Sequence, residues 1–232
     1  MKLSNRLLAC ASLVRPGELV ADVGTDHGHL PVYLLEQGIC THVIAGDLRE
    51  GPLSAAKASA ALAGVQEHIT FRLSDGLKNI PMDGVDTVIC AGMGGDTIRD
   101  ILSDARQWWK PALRFILQPQ AAVPELRGFL GAQGFRILQE VMARDGGFVY
   151  TVMEVSYGDG TPLTPGQCYF PQGQVDRGDL LYAAYMARIR EGLQKTVAGI
   201  RRGKQVDEAR LRYYESALAE LSELEAAYEN SK

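Results

Sequence analysis

Val20-Ala-Asp-Val-Gly-Thr-Asp-His-Gly-His-Leu30 reads as a short apolar strand that turns through two glycines into a helix. Residues 18–23 are rich in aliphatic and β-branched side chains, and the residues after Gly28 have helical spacing. A helix N-terminus offers unpaired backbone N–H groups, and glycine lets a ligand approach the main chain. The spacing is G-x-x-x-G (Gly24, Gly28), whereas a dinucleotide fingerprint requires G-x-G-x-x-G. Asp26 stands where the middle glycine would be. A carboxylate there repels a pyrophosphate but suits a ligand carrying ammonium and sulfonium groups, which points to S-adenosylmethionine rather than NAD. The competing reading is an ordinary strand-to-helix turn with no ligand.

The same strand-then-turn pattern recurs along the chain. Thr41-His-Val-Ile-Ala-Gly-Asp47 is a second apolar strand whose closing acid is placed, relative to Gly24, where doubly wound folds hold ribose hydroxyls. Pro52 suits a helix start, and 55–62 is alanine-rich. A third strand, 68–73, runs into Ser74-Asp75-Gly76-Leu77, which sets an acceptor side chain beside an open backbone N–H, as an adenine edge requires. The fourth, 86–91, is followed by Gly92-Met-Gly-Gly95 and a helix with Asp96 as its candidate cap. A fifth, 114–120, ends in Gln118-Pro-Gln120, whose amides are able either to read a nucleobase edge or to satisfy a turn.

From Gly134 the pattern changes. Residues 135–144 and 148–157 flank Asp145-Gly146-Gly147, a hairpin signal, so the sheet is expected to close with antiparallel strands, the usual layout of Rossmann-like methyltransferases. Ahead of the first strand, 3–14 has helical spacing with Ser4 as a cap, and Lys2, Arg6 and Arg15 read as a solvated face, with a substrate-facing role as the alternative. Residues 161–174, rich in Pro, Gly and Gln, read as a linker. Beyond them Met186, Ile189, Leu193, Val197 and Ile200, then Leu211, Tyr214, Leu218, Leu221 and Tyr228, recur at three- and four-residue steps, predicting two antiparallel helices with a break near Gly203. The expected division is a catalytic part over 1–158 and a linker with a helical hairpin over 159–232. Arg188, Arg201, Arg202 and Lys204 lie along the first helix and its tip, either as a grip for RNA phosphates or as the charged face of a dimerising coiled coil.

Composition narrows the class. The 232 residues are 46% hydrophobic and 22% charged, as in a soluble globular chain with one full core and a smaller appendage. The four cysteines are widely spaced with no C-x-x-C pair, so neither a zinc site nor a disulfide framework is suggested; they read as reduced cytoplasmic thiols, three of them buried. No signal peptide or long apolar run is present. A net charge of -4 opposes broad adhesion to nucleic acid while leaving room for a local basic face.

Taken together, Ala21-Asp-Val-Gly-Thr-Asp-His-Gly-His-Leu-Pro31, Ala45-Gly-Asp-Leu-Arg-Glu-Gly-Pro52, Asp75-Gly-Leu77, Ala91-Gly-Met-Gly-Gly95 and Leu117-Gln-Pro119 resemble the bacterial tRNA adenine-22 N1-methyltransferase family. The resemblance covers nearly the whole catalytic part and implies a class I fold, S-adenosylmethionine as cofactor and tRNA as partner, with no metal, no membrane and no obligate protein partner. It implies cofactor contacts from Asp22, Gly24, Thr25, Asp26 and Gly28; from Asp47, Leu48 and Arg49; from Asp75, Gly76 and Leu77; and from Ala91, Gly92, Met93 and Gly94. It implies substrate contacts from Gln118 and Pro119. Gln120 departs from the asparagine that the family pattern implies there.

N1 of adenine carries an in-plane lone pair, so alignment and exclusion of water are the main demands. The methylated adduct is cationic until the exocyclic amine loses a proton, and a nearby carboxylate stabilises that charge. Asp26 is the first candidate, with His27 as proton acceptor or base contact. Their competing roles are cofactor binding and helix capping. His27 and His29 are expected to point apart on a helix, which disfavours a metal site. The Asp/Asn-Pro-Pro-aromatic motif of amino-methyltransferases is absent, with Ala91 to Gly95 in its place, so N6 methylation is disfavoured. A small-molecule methyltransferase with a dimerisation arm and a nicotinamide oxidoreductase are the alternatives.

Overall fold

The structure, a computed structural model, describes residues 3–203 and 205–229, except the side chains of 228 and 229. Lys2 and Lys204, and the side chains of Tyr228 and Glu229, therefore lie outside the described residues. Helices and strands alternate as α1 (Asn5–Ser12), β1 (Val20–Val23), α2 (His29–Glu36), β2 (Val43–Asp47), α3 (Glu50–Leu62), β3 (Ile69–Leu73), β4 (Thr87–Met93), α4 (Gly95–Asp104), β5 (Arg114–Pro119) and α5 (Val123–Ala132). The hairpin β6 (Phe135–Asp145) and β7 (Phe148–Tyr157) comes next, then α6 (Pro165–Tyr169), α7 (Leu180–Arg202) and α8 (Glu208–Glu229).

The strands form one sheet in the order β3-β2-β1-β4-β5-β7-β6, parallel from β3 to β5 and antiparallel at β7 and β6. Helices cover both faces. Leu102, Trp108, Leu126 and Leu130 pack with Val88, Phe115 and Phe135 on one side; Leu13 and Leu34 pack with Val20, Ile89, Ile116 and Val152 on the other. With both faces closed, the carboxyl rim is where a ligand enters, and strand order reverses between β1 and β4, the switch point where α/β sheets bind ligands.

Local details depart from the sequence expectations in four places. Ser4 occupies the cap position of α1 without a side-chain capping bond, and Gly94, not Asp96, is the cap of α4, Asp96 instead pairing with Arg99 at 2.7 Å. All four cysteines are buried, not three. Residues 161–174 are not a bare linker. They contain α6, closed by a capping box between Thr164 and Gln167 and joined to α8 where the Gly166 N–H donates to Glu220 at 2.8 Å.

The helical part is fastened to the sheet through a buried ion pair. Arg127 of α5, fully buried, donates to both carboxylate oxygens of Glu140 on β6 (3.0 and 2.7 Å), to the Cys168 carbonyl at 3.0 Å and to the Tyr185 hydroxyl at 3.1 Å. Glu140 also accepts from the Thr151 hydroxyl at 2.6 Å and the Gln172 N–H at 2.8 Å. Elements from both halves thus share one network. Among the described residues no helix is long and apolar enough to cross a membrane.

Candidate functional site

The strand β1 is buried at all four positions and delivers the chain into a loop pinned by β2: the Gly24 and Thr25 N–H groups both donate to the Gly46 carbonyl, at 2.8 and 2.9 Å. Gly24, Asp26 and Gly28 all take the left-handed backbone region, with φ of 75°, 52° and 69°. A Cβ at Gly24 would stand 2.3 Å from Met93 Cε, and one at Gly28 would stand 2.9 Å from Ala56 Cβ of α3. Gly24 therefore makes room for the Met93 side chain, whereas Gly28 serves the packing of α2 on α3. Asp26 holds its unusual φ because its N–H donates to Asp47 Oδ2 at 3.2 Å, and Asp is one of the few side chains that tolerate that region. Asp47 Oδ1 accepts from the Arg49 N–H at 3.0 Å, so this buried carboxylate ties two ligand-edge loops together and retains lone pairs for further donors.

The loops enclose a cleft of about 550 Å³ at the carboxyl ends of β1, β2 and β4. Of the expected cofactor residues, Asp22, Gly24, Thr25 and Asp26, then Asp47, Leu48 and Arg49, then Asp75 and Gly76, then Ala91, Gly92 and Met93 line it. Four of these are carboxylates. Asp22 is buried at the cleft wall, and burial pushes its carboxyl up to about 6, the Thr25 hydroxyl opposing the rise and the Asp47 charge adding to it. Behind the cleft, burial and the Asp22 charge push the Cys90 thiol up to about 12, which leaves no thiolate at neutral pH.

Several expected contacts are placed elsewhere. Leu77 is buried in the core, and Gly28 and Gly94 sit at helix caps. Gln118 is fully buried: its Oε1 accepts from the Gly92 N–H (3.0 Å) and from Arg6 Nη1 (3.2 Å), and its Nε2 donates to the Pro119 carbonyl (3.2 Å). Its amide fixes the bulge that β4 makes at Gly92 and is not presented to a base; Pro119 is likewise buried and borders a different cleft. His27 is not on a helix and does not line the cleft. It lies in the turn before α2, its ring stacked on that of His29 (centroids 5.5 Å apart), so the two imidazoles do not point apart. Among the described residues no cluster suited to a metal ion exists.

Arg6 and His29 line the cleft; for Arg6 the sequence favours a solvated face over a substrate-facing role, and for His29 it offers no cleft role. Arg6 is half-buried, with Nε donating to Asp145 Oδ2 (3.1 Å) at the tip of the β6–β7 hairpin, and is not part of a solvated face. No local signal marks it, because its partners are 112 and 139 residues away in the chain.

The basic residues of the helical part separate into two groups. Arg201 and Arg202 are exposed at the end of α7; Arg201 pairs with Glu215 of α8 at 2.5 Å, and Arg202 donates to the Ala198 carbonyl. Arg188 lies instead against the sheet, its guanidinium 5.1 Å from the centroid of the Phe148 ring. With Arg190 paired to Glu225 as well, the ion pairs run antiparallel along α7 and α8.

Residues 3–153 match the family described as methyltransferase domain. Over 159 residues the chain is 33% identical to the tRNA (adenine(22)-N(1))-methyltransferase of Bacillus subtilis, covering 68% of this chain and 67% of that one. The crystal structure of the B. subtilis m1A22 tRNA methyltransferase TrmK superposes with a TM-score of 0.82 at 27% identity, over 96% of this chain and 98% of that one. Sp1610 of Streptococcus pneumoniae, solved in complex with S-adenosyl-L-methionine, superposes with a TM-score of 0.78 at 29% identity, over 94% and 100% of the two chains.

Proposed function

The chain belongs to the bacterial tRNA (adenine-22 N1)-methyltransferase family, and from that membership we propose that it carries a methyl group from S-adenosylmethionine to N1 of an adenine in tRNA. The observation that supports this at the level of atoms is the carboxylate-lined cleft at the switch point, which suits a cationic nucleoside and would repel a dinucleotide pyrophosphate. S-adenosylmethionine supplies an electrophilic methyl group on a sulfonium. In this reading Asp47 accepts from the ribose hydroxyls, Asp22 faces the cationic amino-acid end, and Asp26 faces the adenine that receives the methyl group. Residues 1–158 hold the donor and carry out the chemistry, while 159–232 add an arm that grips the RNA. The protein works in the cytoplasm, in keeping with four unpaired cysteines. Incubation with labelled donor and unmodified tRNA is expected to place the methyl on N1 of adenine; transfer only to a small molecule, or binding of NAD without affinity for the methyl donor, would overturn the assignment.

Asp47→Ala removes both the ribose acceptor and the tie between two loops. Donor binding is expected to weaken by roughly 1 to 3 kcal/mol. Unchanged affinity by calorimetry would show that the ribose is held elsewhere.

The raised pKa of Asp22 gives the cofactor a pH signature. A cationic donor favours the carboxylate, so binding lowers that pKa and releases a proton wherever the free protein holds one. Affinity is therefore expected to be flat above about 6 and to fall below it, by up to roughly tenfold per pH unit. Folding responds in its own way: the favourable contribution of a protonated Asp22 is complete below the ordinary carboxylate range and is lost as pH rises through about 6, at a cost of about 3 kcal/mol. Asp22→Asn should flatten the donor-binding profile and stabilise the free protein at pH 7. A wild-type profile unchanged between pH 5 and 7 would remove Asp22 from the donor site.

At the helical tip, replacing Arg201, Arg202 and Lys204 together by Gln is expected to weaken tRNA binding and to reduce the salt slope by up to about 3, one phosphate contact per charge, with donor affinity unmoved. If tRNA affinity and slope persist while the oligomeric state changes, the arm is a dimerisation element.

A further inference from the structure

The hairpin that closes the sheet carries an aromatic ring left in solvent. Phe148 opens β7, directly after the Asp145-Gly146-Gly147 turn, and is 53% exposed. A single exposed apolar side chain is ordinary; its company is what marks this one. The Arg188 guanidinium lies over the ring, and Tyr150, on the same face of the strand, stands 6.4 Å away centroid to centroid. With Gln120 and Tyr185 these residues line a cleft of about 360 Å³ between the start of β7, the segment 119–124 and α7. Aromatic faces, a guanidinium and a free-standing amide are the groups that stack an unpaired nucleobase and read its edge.

This second cleft borders the first. The Gln120 N–H donates to the Met93 carbonyl at 2.7 Å, and its side-chain Nε2 lies 3.8 Å from where a Cβ on Gly92 would stand. On the other side, Arg6 of the donor cleft holds Asp145 of the turn that precedes Phe148. N1 lies on the Watson–Crick edge, so the target adenine must be unpaired or extruded, and drawing it out of a stack leaves its neighbour without a stacking partner.

We propose that the cleft lined by Phe148, Tyr150, Arg188 and Gln120 is a second base-binding site, which stacks the nucleotide adjacent to the adenine being methylated. It rests on the RNA-methyltransferase reading above. The site replaces the stacking lost on extrusion and so holds the RNA in its reactive conformation; it touches neither donor nor methyl acceptor.

The test uses the full chain, an unmodified tRNA transcript, and transcripts with 2-aminopurine at either side of the target. Wild-type protein should methylate the transcript and quench 2-aminopurine at one of the two neighbouring positions. Phe148→Ala should abolish that quenching and raise the KM for tRNA roughly tenfold, with kcat within about twofold, the salt slope unaltered and donor affinity unmoved. Phe148→Trp should restore quenching and KM, which a lost structural contact would not predict. Wild-type KM and quenching in a folded Phe148→Ala protein would overturn the proposal, as would a change of oligomeric state with tRNA KM intact, which would make the patch a contact between copies. Failure of the wild-type protein to methylate tRNA would overturn the underlying reading instead, and is seen before any variant is made.

Discussion

Arg127→Ala is expected to destabilise the protein by about 3 to 5 kcal/mol, because it strips a partner from a fully buried carboxylate. For a chain of this length that corresponds to a fall in Tm of roughly 6 to 20 °C. Burial alone works against a charged guanidinium, but Glu140 more than offsets it and holds Arg127 ionised. Removing the cation leaves the Glu140 carboxylate, among the described residues, with the Thr151 hydroxyl and the Gln172 N–H. Glu140→Leu alone should cost about as much, and the double variant Arg127→Met with Glu140→Leu less than the sum of the singles, since no uncompensated charge remains. The network also joins α5 and β6 to α6 and α7, so a folded but weakened variant such as Arg127→Lys should raise the KM for tRNA while leaving donor affinity near normal. Single variants costing under about 1 kcal/mol would mean that the pair is solvated and fastens nothing.

The parts of this architecture that the sequence made legible are those whose signals are local. Strand and helix periods placed all seven strands, and Asp145-Gly146-Gly147 marked the hairpin that gives the sheet its antiparallel edge. Gly24 and Asp47 were identifiable because a strand end and a left-handed turn leave chemical marks on adjacent residues. What could not be read was pairing across the chain. Arg6 looks like any solvated cation until α1 is laid across the sheet and brings it to Gln118 and Asp145. Gln118 looks like a base reader until the bulge at Gly92 is seen to consume its carbonyl oxygen. Residues 161–174 resemble a linker because a five-residue helix has too few turns to show a period; its order comes from a capping box and from Glu220, 54 residues distant.

Asp26→Asn separates chemistry from shape more cleanly than any other change in the donor cleft. Asn tolerates the left-handed backbone region as Asp does, and the bond from the residue 26 N–H to Asp47 is made by the main chain, so the loop is expected to stay as it is. Only the charge is lost. If that charge faces the cation that forms when N1 is methylated, its contribution is larger in the transition state than in the ground state, where the adenine is neutral. In the free protein Asp26 is largely exposed, and a field in water is weak; covering by RNA would lower the local dielectric and strengthen it. A fall in kcat of roughly a hundredfold or more is therefore expected, with donor affinity changed only about threefold and the fold intact by thermal melting. His27→Gln should cost far less, because that ring does not line the cleft. Normal turnover at saturating donor, with weakened donor affinity alone, would make Asp26 a ligand for the amino-acid end and leave deprotonation of the adduct to water.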